Sequence, residues 1–153
     1  MSRNQKNWIK FWLPPLIWMV IISLFSTDHF SGKQTSRFIG PLLRFFLPDV
    51  ADITISNIQF FIRKTGHFTE YAILYILWYR ALNRKFPQPL RIWNPKGGIY
   101  SLVICISYAM VDEWHQTWTS DRIGSPLDVA LDSIGASAAM LWIRWRNNHQ
   151  KAD

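Results

Sequence analysis

The chain has 153 residues, of which 49% are hydrophobic, 16% aromatic and 18% charged, with nine tryptophans and a formal net charge of +7. That is a surplus of apolar surface for one domain of this size, and it fits a small membrane protein of one domain, residues 1–153, better than a water-soluble one. The basic residues are interleaved with apolar segments and no nucleic-acid motif accompanies them, which excludes nucleic acid as a partner and leaves membrane lipids, anionic lipid above all. Cys105 is the single cysteine, so neither an intramolecular disulfide nor a thiolate metal cluster can form.

The predicted fold is all-α, a membrane-embedded bundle of four transmembrane helices with a short amphipathic segment between the first and second. The first helix is expected over residues 8–25, with Pro14 and Pro15 near its basic start. Ser26-Thr27-Asp28-His29 is a poor cleavage site, so the segment reads as a retained anchor rather than a signal peptide. Residues Ser36 to Leu47 follow, reading SRFIGPLLRFFL. As a short helix in the outer headgroup region they would bury Phe38, Ile39, Leu42, Leu43, Phe45 and Phe46 and leave Arg37 and Arg44 to reach phosphates; packing as an apolar lid over the bundle is an equal alternative.

The second helix is expected over residues 58–82. It carries Lys64, His67, Glu70 and Tyr71: a cation, an imidazole, a carboxylate and a phenol within two turns. The third, over 98–118, ends in Asp112-Glu113-Trp114-His115-Gln116. Helical spacing puts Asp112, His115 and Gln116 on one face and rotates Glu113 about a hundred degrees away. The fourth, over 125–145, begins with Ser125 as N-cap and Pro126 at the first helical position; Asp128 then falls in the first turn, where the helix dipole favours it. Asp132 lies one turn deeper without that reason. Gly135, Ala136, Ser137, Ala138 and Ala139 permit close helix packing.

With alternating helix direction the three polar clusters meet at one membrane face. A carboxylate at a helix centre costs about 2.5–3.5 kcal/mol, so Glu70, Asp112, Glu113, Asp128 and Asp132 facing lipid would cost on the order of 15 kcal/mol. They are therefore expected to converge. Eleven of the 17 Lys and Arg fall before the first helix, between the second and third, or after the fourth, which puts both termini in the cytoplasm and the clusters outside. Mean hydropathy is only -0.01 and no stretch of about 18 residues is free of charge, so composition alone does not settle the number of spans.

These residues together resemble the VanZ-like family of small polytopic membrane proteins. Arg63-Lys64, His67-Phe68, Glu70-Tyr71-Ala72 and Leu74 are similar to its second-helix signature, and Asp112-Glu113, His115-Gln116, Arg122, Ser125, Asp128 and Gly135-Ala136 to its second block. Helix one matches loosely, through Phe25-Ser26. The chain departs in carrying Asp132 where the family commonly has Asn, and Ser120-Asp121 where it often has Pro-Gly before the Arg. The resemblance implies an envelope protein, with founding members linked to low-level resistance to the glycopeptide teicoplanin.

Three functions are expectations at this point. One is recognition of an envelope lipid headgroup or a lipoglycopeptide, with Lys64, Tyr71, Glu113, Gln116, Arg122, Asp128 and Asp132 as binding residues. Another is hydrolysis or transfer of a phosphate-containing envelope lipid, with Lys64 and Arg122 on phosphate, His67 or His115 as nucleophile or acid/base, Glu70 beside them and Asp112 orienting the imidazole. The third is a structural bundle in which the polar groups are interhelical locks. Asp112 and His115 with His67 and Glu70 would also make a mixed shell for a divalent metal, although Lys64 and Arg122 oppose it.

Overall fold

The computed structural model describes residues 3–27, 32–85, 90–118 and 124–149, with side chains described for these except at 3–7 and 32–38. The described residues form five helices and no strand: α1 (Arg3–Phe25), α2 (Gly32–Phe46), α3 (Asp52–Leu82), α4 (Pro95–Gln116) and α5 (Pro126–His149). The all-α expectation holds. Two helices, over Trp8–Phe25 and Pro126–His149, are long and apolar enough by composition to cross a membrane. α3 and α4 carry Lys64, Glu70, Asp112 and Glu113 within their length, which is why composition does not place them with the other two.

The segment between the first two long helices is helical, as its pattern predicted. α3, however, begins at Asp52 rather than at Ile58. Asp52 in the first turn favours an earlier start through the helix dipole, and Arg44 of α2 meets its carboxylate at 2.5 Å. At a rise of 1.5 Å per residue the 31 residues of α3 span about 46 Å. Its N-terminal turns are mostly exposed, and α2 packs along them.

α3 is the central helix, in contact with the other four, and α5 also packs on α4. Tyr71, Leu74, Tyr75, Trp78 and Tyr79 recur at helical spacing and form its buried stripe, facing Ile22 of α1, Cys105 and Ala109 of α4, and Ala136, Ala139 and Ile143 of α5. Large rings on α3 thus meet small residues on its partners. The closest approach is at Gly135, where an added Cβ would stand 2.2 Å from the Phe68 carbonyl oxygen, so only glycine lets α5 lie this near α3. α1 is held by polar contacts: Trp18 Nε1 donates to the Glu70 carbonyl at 2.9 Å and Tyr108 Oη to the Met19 carbonyl at 2.6 Å.

One end of the bundle is tied by a phenol, three asparagine amides and one guanidinium. Tyr79 Oη donates to Ile92 O and accepts from Asn94 N, both at 2.8 Å, while Asn94 Nδ2 donates to Asn83 Oδ1 at 2.7 Å. Asn147 Nδ2 donates to Ile143 O at 2.7 Å and Leu90 O at 3.2 Å, and Arg146 Nη2 to Leu90 O at 2.5 Å. Gly98 lies against the ring of Trp93, which stacks on Tyr79. This amide clasp joins the α3–α4 connection to the end of α5, and the sequence reading did not anticipate it.

The outward faces of the four long helices are apolar. Leu13, Val20 and Leu24 of α1, Phe60 and Phe61 of α3, Val103 and Met110 of α4, and Ile134 and Leu141 of α5 are all exposed, whereas Asp112, Glu113, Asp128 and Asp132 are buried.

Candidate functional site

The second polar cluster occupies the end of the bundle opposite the clasp. It is assembled from the end of α1, the middle of α3, the last turns of α4 and the first turns of α5. Ser26 follows the last turn of α1, and its hydroxyl donates to Asp112 Oδ2 at 2.6 Å. Gln116 Nε2 donates to Asp112 Oδ2 and Glu113 Oε1, each at 3.2 Å, and lies 3.3 Å from Ser26 Oγ. One amide therefore joins two carboxylates and the end of α1.

The chain returns to α4 at Gly124. An added Cβ there would stand 2.2 Å from the Glu113 carbonyl oxygen, and this contact brings the Ser125 amide to Glu113 Oε2 at 2.8 Å. Ser125 caps α5 as expected, its Oγ accepting from Leu127 N at 3.2 Å. Asp128 in the first turn pairs with Lys64 of α3, so it has both a dipole and an ion-pair reason to be charged. One turn deeper, Asp132 is wholly buried; its Oδ1 lies 3.2 Å from His67 Nδ1, and its Oδ2 has no hydrogen-bond partner among the described residues.

Lys64, His67, Asp112, Glu113, Gln116, Asp128 and Asp132 are thus brought together. His67, Glu113 and Asp132 each offer a ligand atom within 4.8 Å of the others. Glu70 stands half-buried one turn beyond His67, and Tyr71 is fully buried. Arg122, expected to clamp phosphate, lies outside the described residues.

α4 does not present the face that spacing predicted. Glu113 is 4% exposed and points inward, while His115 is on the exposed side against Trp118. The buried arc of α4 runs through Ser101, Cys105, Ala109, Asp112 and Gln116. At about 100° per residue, Glu113 and His115 both fall about 80° from its centre, on opposite sides, so this arc alone does not decide between them. The expected unit of Asp112 and His115 is not formed, since His115 faces outward; the imidazole that lies with buried carboxylates is His67, beside Asp132 and Glu113. The signal in the sequence is the pair of small residues Cys105 and Ala109, whose centre lies about 60° from Glu113 and about 100° from His115. Ser26 was missed as a site residue; its signal is a lone hydroxyl directly after an apolar helix.

No curated protein and no solved structure matches the chain. The family model described as VanZ/LLP1 matches residues 11–147, a span that runs from within α1 to near the end of α5 and takes in every residue of this cluster. The chain belongs to the VanZ/LLP1 family.

Proposed function

We propose that the chain crosses a bacterial envelope membrane four times, through α1, α3, α4 and α5, and that its outer-end cluster binds the polar headgroup of an envelope lipid or a lipoglycopeptide. The observation that carries the reading is the inversion of the bundle: four carboxylates, His67 and Lys64 inside, and apolar side chains outside. Over Trp8–Phe25 only 11% of the residues are buried, the reverse of a core helix in water. Lipid tails satisfy such a surface, and buried carboxylates and an imidazole satisfy hydroxyl, amide and ammonium groups of a headgroup. Arg80, Arg84, Lys85, Arg91, Lys96, Arg144 and Arg146 belong to the segments that meet at the clasp end, which supports a cytoplasmic position for that end and both termini, against anionic lipid.

Variants Glu70→Gln, Asp112→Asn and His67→Ala test the site. Each is expected to abolish the change in glycopeptide susceptibility conferred by the protein while leaving its membrane abundance nearly constant. Abundance falling in step with the phenotype would make the cluster a scaffold and overturn the reading. Cysteines placed at Gln88 and Thr119 in a Cys105→Ala background test the topology: an impermeant reagent on intact cells should label position 119 and not 88.

A second reading is favoured by the contact of His67 with Asp132. A carboxylate against one imidazole nitrogen fixes the tautomer and leaves the other nitrogen to exchange protons, the arrangement a membrane enzyme acting on a phosphate-containing lipid needs. Release of phosphate or of a headgroup from envelope lipid by the purified protein, lost in His67→Ala, would select it.

A further inference from the structure

We infer that His67, Glu113 and Asp132 form a binding site for a divalent transition-metal ion of the zinc type. The inference adds a cofactor to the cluster proposed above as the working site.

Three observations converge on it. The three residues are buried, come from three different helices, and their ligand atoms lie within 4.8 Å of one another. Asp132 is wholly buried, and its Oδ2 lacks a hydrogen-bond partner among the described residues. A buried carboxylate oxygen left so is costly, and a cation is the ligand that removes the cost. The third observation is the pairing of charges. Asp128 is matched by Lys64, and Asp112 is met by the hydroxyl of Ser26 and the amide of Gln116. Glu113, held like Asp112 by two neutral donors, the Ser125 and Gln116 amides, and Asp132 lie together with one imidazole. A dication balances them with His67 neutral.

The donor set suits zinc rather than calcium or magnesium. One imidazole and two carboxylates give three protein ligands and leave a fourth position open, whereas calcium takes six to eight oxygens and magnesium a near-octahedral oxygen shell. Tetrahedral ligands at about 2.0–2.2 Å from the ion stand about 3.4 Å apart, so the three atoms must draw in by up to about 1.4 Å. Glu113 can supply that movement because its carboxylate is held by only two hydrogen bonds, from the Ser125 amide and Gln116. These donors then become the outer shell that aims it.

The test uses the full chain purified in detergent, stripped with a chelator and titrated with zinc against a chromophoric competitor, with bound metal counted by plasma mass spectrometry. One zinc per chain is expected. Glu113→Gln and Asp132→Asn should each weaken binding by about tenfold or more. His67→Ala should abolish it, and His149→Ala, at the far end of α5, should leave it unchanged. Helical circular dichroism of each variant confirms that it is folded; Glu113→Gln alters one atom and serves where His67→Ala does not fold. Wild-type protein holding well under one zinc, or binding unchanged in folded Glu113→Gln and Asp132→Asn, overturns the inference. The readout is metal and not susceptibility, so a failed headgroup reading and a failed metal site give different results.

Discussion

The two ends of the bundle are both polar and differ in the charge of their polar groups. At the clasp end, Tyr79, Asn83, Asn94 and Asn147 are neutral and bond to main-chain groups and to one another, with Asn147 Oδ1 and Arg146 Nε left without a partner among the described residues. At the other end four buried carboxylates outnumber Lys64 and His67, and Asp132 keeps an oxygen without a partner among the described residues. The first pattern is what an apolar medium demands of a structural joint, because every unmet polar group there costs free energy. The second adds a surplus of buried carboxylates, a larger cost than an unmet amide oxygen. That surplus, beside a largely neutral joint at the other end, is why the acid end is the one proposed to bind a ligand.

The largest expected effect breaks the ion pair of Lys64 with Asp128 at the acid end. Lys64→Met leaves Asp128 buried and unpaired, and should lower stability by about 3 kcal/mol, at the low end of the range for buried pairs because Lys64 remains partly exposed. Thermal unfolding in detergent measures it. Adding Asp128→Asn should return most of the loss, since a neutral amide no longer needs the cation. A double variant as unstable as the single one would mean that Lys64 acts through packing.

Tyr79→Phe tests the clasp. It removes one hydroxyl that both donates to Ile92 O and accepts from Asn94 N, leaving two main-chain groups unmet, a loss of about 2 kcal/mol. Membrane abundance and the phenotype should fall together here. If instead abundance holds while the phenotype disappears, the contrast between the two ends fails.

Asp112→Asn sharpens the contrast from the other side. Its partners are a hydroxyl and an amide rather than a cation, so neutralising it removes a desolvation cost and strands no charge. Stability should stay within about 1 kcal/mol of the parent or rise. The phenotype should be lost.

Much of this was legible in the sequence, because helices with ionisable residues inside apolar runs leave few placements for those residues. The cost of carboxylates in lipid predicted convergence of His67, Glu70, Asp112, His115, Arg122 and Asp128; His67, Asp112 and Asp128 fall in one cluster, Glu70 is half-buried one turn beyond His67, His115 faces outward, and Arg122 lies outside the described residues. The small residues of α5 predicted its close packing, seen at Gly135 against Phe68. Two things were not legible. The clasp is built from single asparagines far apart in the chain, at 83, 94 and 147, with no periodicity to join them. The start of α3 was hidden because its first turns pack on α2 and carry mixed side chains, so hydropathy does not mark them.

The inward face of α4 was the third point, and it yields the smallest expected effect. A pattern of carboxylate and histidine at i and i+3 drew attention to Asp112 and His115, but a helix face is set by what the neighbouring helices fill. Cys105 and Ala109 are the residues against which α3 and α5 close, and their line continues through Asp112 and Gln116, taking Glu113 in and His115 out. His115 touches only the ring of Trp118 among the described contacts. His115→Ala should therefore change thermal stability by no more than about 0.5 kcal/mol, as for a surface position, and leave susceptibility unaltered. Glu113→Gln, one position round the helix, should remove the phenotype at similar stability. The pair separates the two faces of α4 without disturbing its packing. A His115→Ala variant that lost the phenotype while Glu113→Gln kept it would move the working site to the outer side of α4, and the contrast between the two buried ends would no longer explain the protein.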